Sequence, residues 1–279
     1  MTTFPADFPL AAAVASTLEV LESSPSTNDE LVARAARGPA AWPHFSVVVT
    51  DTQTAGRGRL GRHWTAPAGT SLAISVLVRP GPTFPLDALG WLPLAAGLAM
   101  ARAVNNALGS RASAQVKWPN DVLVGSSKIS GVLSELVDAE TGAVVIGAGV
   151  NLTIADEDLP VPTATSLAVE GVPNPDRDRL LADYLTELRS LTDDLFNARG
   201  DAAASGLQNA VTEGCSTVGT RVKVELPGGN ILTGIARGID SSGRIVVQAD
   251  GSPDLTPISA GDITHLRSET LSGGEHSQP

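Results

Sequence analysis

The chain has 279 residues, 42% of them hydrophobic, enough for one large domain and a small one. Its formal charge of -11 argues against a general nucleic-acid surface, which needs basic patches to neutralise phosphates. One cysteine, Cys215, excludes an internal disulfide framework and a multi-cysteine zinc site; with no signal-peptide pattern at the start, a cytoplasmic protein is expected.

Residues 1–15 read as a short helix or arm, too few for a winged helix, so no N-terminal DNA-binding domain is expected. A short strand follows at 18–21. Ser26-Thr27-Asn28-Asp29-Glu30 then opens a helix running to about Arg37; Ser26 with Asp29, or Thr27 with Glu30, has capping-box spacing, and Gly38-Pro39 stops it. The β-branched run 45–50 predicts a buried strand, and SLAISVLV at 71–78 predicts another. Between them lies DTQTAGRGRLGRHW, residues 51–64, where Arg57, Arg59 and Arg62 alternate with Gly56, Gly58 and Gly61. Residues 86–108 have helical length and apolar periodicity, with Gly109 beyond the end. The stretch 91–104 is apolar but broken by Pro93, Gly97 and Arg102 and too short to span a bilayer, so no membrane partner is expected.

Strands are predicted at 115–117, 122–124, 128–137 and 143–150, the last two joined to their neighbours by hairpin-like turns. After a Pro-rich loop at 154–175, residues 176–197 carry Leu180, Leu181, Tyr184, Leu188, Leu191 and Leu195 at steps of an amphipathic helix. From 216 onward short alternating strands at 221–225, 231–239, 244–248 and 256–258 predict a small β-barrel. The expected division is 1–213, 214–268 and a polar tail at 269–279. The larger unit is not a regular βαβ series, so the fold class is α+β with a mixed, mainly antiparallel sheet.

Gly56-x-Gly58-x-x-Gly61 has dinucleotide-fingerprint spacing, but a strand follows it and no acidic residue lies about 20 positions on. Kinase and P-loop readings fail too, because their partner motifs are missing. What survives is a Gly/Arg loop between two strands: either an anion clamp, in which backbone N–H groups approach closely and guanidinium forks match phosphate or carboxylate, or a solvated surface loop. Lys128, at the start of a strand and near Gly131, can place a point charge in a crevice or serve as an edge-strand lysine. The glycines of Gly147-Ala148-Gly149 mark a close ligand approach or a bulge. Cys215 reads as an apolar filler at the domain junction, and His63 as a packing or ligand-contact residue.

Taken in order, DTQTAGRGRLGRHW, KWPND (117–121), KISGVLSEL (128–136) and GAGVNL (147–152) closely resemble the biotin protein ligases, the biotin–acetyl-CoA-carboxylase ligases. Ser26-Thr27-Asn28 fits as well, so the resemblance covers most of 16–152. Residues 259–267 resemble the end of that family's SH3-like C-terminal domain. The resemblance implies a catalytic domain like that of class II aminoacyl-tRNA synthetases and biotin ligases, of the monofunctional type without the DNA-binding domain. It implies two steps: biotin and ATP, with Mg²⁺, give biotinyl-5′-AMP and pyrophosphate, and a lysine of a biotin carboxyl carrier domain of acyl-CoA carboxylases then takes the biotinyl group. No tightly bound prosthetic group is implied.

By the same resemblance Ser26, Thr27 and Gln53 hydrogen-bond the ureido ring, and Asn28, Gly56, Arg57, Gly58 and Arg59 also belong to the biotin site. Trp64, Gly131, Leu133 and the apolar residues of 129–133 wall the tail. Arg57, Arg59, Arg62 and Lys128 offset the repulsion between carboxylate and α-phosphate, with Lys128 touching both anions. Asn120 and Asp121 form a polar shelf near the phosphates or metal, and Gly149 and Asn151 meet the nucleotide. No protein metal ligand is assigned; Mg²⁺ is expected to ride on the ATP phosphates. Arg59 retains the reactive intermediate under a glycine-rich lid expected to lack fixed structure when empty. A lipoate–protein ligase and a non-catalytic biotin or nucleotide sensor are the alternatives. The full GRGRLGR loop disfavours the first, and intact Lys128 with the loop arginines disfavours the second.

Overall fold

The computed structural model describes residues 7–226, 229–259 and 262–265. The tail at 269–279, the end of the motif at 266–267 and part of the 227–230 turn lie outside the described residues. The strands are β1 (Thr17–Val20), β2 (Ser46–Thr50), β3 (Gly56–Arg57), β4 (His63–Trp64), β5 (Ser71–Val78), β6 (Ala114–Lys117), β7 (Asp121–Val124), β8 (Ser127–Asp138) and β9 (Ala143–Asn151). They are followed by β10 (Arg221–Glu225), β11 (Ile231–Ile239), β12 (Ile245–Ala249), β13 (Leu255–Ile258) and β14 (Asp262–His265). The helices are α1 (Pro9–Val14), α2 (Thr27–Ala35), α3 (Leu92–Leu108), α4 (Arg177–Asn197) and α5 (Leu207–Gly214).

A seven-stranded sheet runs β1-β2-β5-β9-β8-β7-β6, and only its β1–β2 pairing is parallel. β3 and β4 form a separate two-stranded hairpin. The last five strands form a second, antiparallel sheet in the order β13-β12-β11-β10-β14. The fold is therefore α+β, as the irregular alternation of strands and helices predicts.

The period-2 rule sorts the central strands onto two faces. Leu72, Ile74, Val76 and Val78 of β5, and Val144, Ile146, Ala148 and Val150 of β9, enter the main core with α3 and α4. Ala73, Ser75, Gly147 and Gly149 turn to the opposite face. There α2 packs through Leu31 and Ala35 against Val48, Leu77, Val145 and Trp42. Ser26 caps α2, its Oγ accepting from the N–H of Asp29 at 3.4 Å, so the first of the two predicted capping pairs is the one used. Asp176 caps α4 in the same way, from Arg179 N–H at 3.0 Å.

Three features differ from the sequence reading. Residues Leu86–Trp91 form a 3₁₀ turn before α3 begins, with Pro93 in the first turn of the α-helix. α5, too short for periodicity to reveal, was not foreseen. β8 carries one extra residue against β7, since Val122 pairs Ser130 while Leu123 pairs Lys128. That bulge turns Ile129 into the core, fully buried, instead of toward the predicted tail-binding wall. Cys215 is buried beside β6, bridged to Val116, as an apolar filler would be.

Candidate functional site

On the α2 face of the large sheet lies a cavity of about 340 Å³, within the range of small-molecule sites. Its floor is made by absent side chains. Gly131 on β8 pairs with Gly149 on β9, and Gly149 pairs with Ala73 on β5; the next row is Leu133, Gly147 and Ser75. Each glycine is covered by a neighbouring side chain. A Cβ on Gly149 would stand 2.4 Å from the Trp64 ring, and one on Gly131 would stand 3.0 Å from Lys128 Nζ. A Cβ on Gly147 would lie within the contact distance of Asn28 Oδ1. Gly147 and Gly149 pair in unbroken register with β5 and β8, so they form no bulge, and what approaches them closely is the chain's own Asn28 and Trp64.

One end of the cavity is polar, with neutral groups on its wall and the Arg57–Glu135 pair beside Asn28. Gln53 Oε1 accepts from Thr27 N–H at 2.9 Å and from Thr27 Oγ1 at 3.2 Å. Ser75 Oγ donates to Asn28 Oδ1 at 2.6 Å and lies 2.8 Å from the Thr27 hydroxyl. Ser26, Thr27 and Asn28 are all at most 5% exposed. The middle is apolar, between Leu133, Ala73 and Trp64, whose indole Nε1 is buried with no hydrogen-bond partner among the described residues.

The mouth is cationic. The bulge sets Lys128 on the same face as Gly131, and Lys128 Nζ lies 2.6 Å from Asp121 Oδ1. Arg59 donates to Asn120 Oδ1 at 3.0 Å, and Asn120 Nδ2 in turn donates to the Val132 carbonyl at 2.8 Å. Arg62, His63 and Lys117 also line this end. The loop bearing the arginines folds as a hairpin, closed by Gly58 N–H on the Arg62 carbonyl at 2.6 Å, with a 3₁₀ turn over Arg59–Gly61. Leu60 at its tip has φ 55°, a left-handed conformation unusual outside glycine, and is 72% exposed.

Most of the predicted site residues meet at this cavity. Ser26, Thr27, Asn28, Gln53, Arg57, Gly58, Arg59, Arg62, Trp64, Asn120, Asp121, Lys128, Gly131, Leu133 and Gly149 all line it. Gly56 lies under Gln53 and Trp64 instead of on the wall, and Asn151 is buried with its Nδ2 on the Thr165 carbonyl at 2.8 Å. The sequence reading did not single out Ser75 and Glu135, which meet the wall through Asn28, or Ile263, which reaches the cavity from β14. Glu135 carried a signal, because it shares a face with Gly131 and Leu133 under period-2 alternation. Ile263 carried none, because only the packing of one sheet on the other brings it there.

Known proteins place this geometry. Residues 20–151 match the model of the biotin/lipoate A/B protein ligase family, and residues 217–266 match that of the biotin protein ligase C terminal domain. The biotin–[acetyl-CoA-carboxylase] ligase of Mycobacterium tuberculosis is 42% identical over 251 residues, covering 90% of this chain and 89% of the relative. The bifunctional ligase/repressor BirA of Escherichia coli is 33% identical, covering 79% of this chain and 66% of its own. Among solved structures, the Aquifex aeolicus biotin protein ligase in complex with biotin and ATP superposes with a TM-score of 0.70 at 26% identity, covering 91% of this chain and all of that one. With a close relative aligned along nine-tenths of its length and both domain models matched in order, the chain belongs to the biotin protein ligase family.

Proposed function

We propose that this protein is an ATP-dependent biotin–protein ligase, and that the polar, apolar and cationic segments of one cavity are matched in order to the ureido ring, aliphatic tail and carboxylate of biotin. That ordered gradient over a glycine floor is the observation that carries the reading. The ureido ring is neutral and offers both donors and acceptors, which suits Ser26, Thr27 and Gln53. Trp64 and Leu133 flank the tail. The biotin carboxylate oxygen then attacks the ATP α-phosphorus, the bond to the bridging oxygen breaks, and pyrophosphate leaves. Lys128, with Arg59 and Arg62, offsets the repulsion of two anions and the charge that builds at phosphorus. In the second step a deprotonated lysine amine of a carrier domain attacks the acyl carbon, forming the amide and expelling AMP. Holding the adenylate under the hairpin keeps it from water until that amine arrives.

The chemistry Mg²⁺ supplies is neutralisation of phosphate charge. Asp121 lies on the cavity wall with one oxygen on Lys128, which fits an outer contact to a nucleotide-borne ion more than a protein-built cage. Residues 1–213 serve as the catalytic unit and 214–268 as an SH3-like cap that closes the cavity through Ile263. The acceptor is the biotin carboxyl carrier domain of an acyl-CoA carboxylase, modified in the cytoplasm. No described helix is long and apolar enough to cross a membrane.

Incubation with ATP, Mg²⁺ and biotin should yield biotinyl-5′-AMP and pyrophosphate by mass analysis, and lipoate in its place should yield neither. Adenylation of lipoate but not biotin would move the protein to the lipoate branch. Binding without adenylation would make it a sensor.

A further inference from the structure

We infer that Glu135 is a positioning residue that fastens the Gly/Arg hairpin to the floor of the cavity through Arg57; this rests on the ligase reading for its catalytic consequence only. Glu135 reaches the cavity face because Gly131, Leu133 and Glu135 alternate along β8. A single carboxylate oxygen, Glu135 Oε2, accepts from Asn28 Nδ2 at 2.7 Å and from Arg57 at 2.9 Å. Asn28 is itself fixed. It is 5% exposed, accepts from Ser75 Oγ at 2.6 Å, and fills the space that a side chain on Gly147 would take. The same Arg57 nitrogen also reaches Asp29 in the first turn of α2.

A connected line therefore runs from β5 through α2 and β8 to the first strand of the hairpin. Arg57 lies between two carboxylates, both met by one guanidinium nitrogen, so its charge is already balanced. It thus acts as a fastener for the hairpin stem, which departs from its expected role as an anion ligand and leaves the mouth of the cavity to Arg59, Arg62 and Lys128. The Asp29 contact involves side chains 40% and 63% exposed and is weak by itself. The Glu135 contact shares a buried asparagine, and polar networks of that kind hold better than isolated surface pairs.

The test compares Glu135→Ala, Glu135→Gln and Arg57→Ala with the wild-type chain in two ways. Trypsin cuts after arginine, so cleavage after Arg57, Arg59 and Arg62 reports how firmly the empty hairpin is held. Glu135→Ala should speed that cleavage at least about fivefold, since losing a charge-assisted hydrogen bond opens local structure more often. Glu135→Gln, which keeps an acceptor but loses the charge, should fall between. In biotin-dependent ATP–pyrophosphate exchange, Glu135→Ala should raise KM for biotin about tenfold with kcat within about twofold, and more adenylate should escape before transfer. The double variant Glu135→Ala/Arg57→Ala should be no worse than the more affected single one. Wild-type cleavage rates in the variants, or single effects that multiply in the double variant, would overturn the inference. A wild-type chain that performs no biotin-dependent exchange would overturn the ligase reading instead, and the tryptic readout would still decide whether Glu135 fastens the hairpin.

Discussion

Lys128 is laid flat along the sheet instead of standing in solvent. Gly131 leaves room beneath it, and Asp121 fixes its ammonium at 2.6 Å. A cation so held is already placed for an incoming anion, and little reorganisation remains when charge develops at phosphorus. Lys128→Ala should therefore slow adenylate formation about 10²–10³-fold, while the melting temperature moves by under about 4 °C, because the side chain is partly exposed and packs no core. A parallel loss of both, followed by pyrophosphate release and by thermal denaturation, would mark a structural lysine. Arg59 has a different task. Its guanidinium spans to Asn120, joining the hairpin to the KWPND turn across the cavity mouth. Arg59→Gly cuts that tie, and the expected result is biotinyl-5′-AMP in free solution and biotin on bystander proteins. An intermediate retained as in the wild-type chain in a trapping assay would refute it.

At the scale of the element, β9 shows how much a strand's alternation decides. Gly147, Gly149 and Asn151 share one face and Ala148 and Val150 the other, so a single register makes the strand both floor and core. Gly149→Ala should push Trp64 off the floor and raise KM for biotin about tenfold, since a misplaced methyl in a packed site costs roughly 1–3 kcal/mol; isothermal titration with biotin checks it, and unchanged affinity would show that Trp64 yields freely. Much of this element was legible beforehand, because periodicity 2 and the paired glycines both stand in the residue string. The helices α2 and α4 were legible through their caps and apolar steps. Ile129 was not, because a bulge is set by pairing with β7, which no local pattern of β8 records. The partners of Arg57 and Asn151 were equally hidden. Both side chains meet groups far along the chain, Glu135 in one case and Thr165 in the other, and only the fold brings these together.

Across the whole molecule the two sheets share one apolar core, in which Val222, Val224, Ile245 and Val247 of the second sheet are continuous with Trp91 and Leu94. The joint is polar as well. Trp91 Nε1 donates to the Ser241 carbonyl at 2.8 Å and Trp118 Nε1 to the Gly243 carbonyl at 2.9 Å. Asp240 shapes that turn by accepting from Ser242 N–H, Arg244 N–H and the Arg244 side chain. Burial alone would raise its carboxyl, but these hydrogen bonds outweigh burial and hold it below the usual carboxylate range. A depressed folded value means the turn's contribution is complete above about pH 4, the ordinary carboxylate value, and is lost as pH falls through the folded one. The melting-temperature gap between wild type and Asp240→Asn should accordingly be widest near neutrality and shrink below about pH 4. A gap constant from pH 7 to 3 would exclude the carboxylate as its source.

The chain's four tryptophans fall at separate places in this arrangement: Trp64 over the cavity floor, Trp91 and Trp118 at the joint between the sheets, and Trp42 in the small cluster behind α2. Their emission therefore divides by location. Filling the cavity alters the spectra of Trp64 and Trp118, which both line it, whereas parting the sheets wets the indoles of Trp91 and Trp118 and shifts them to the red. Trp91, away from the cavity lining, then reports the joint alone, so a variant keeping only that tryptophan of the three separates integrity of the fold from occupancy of the site.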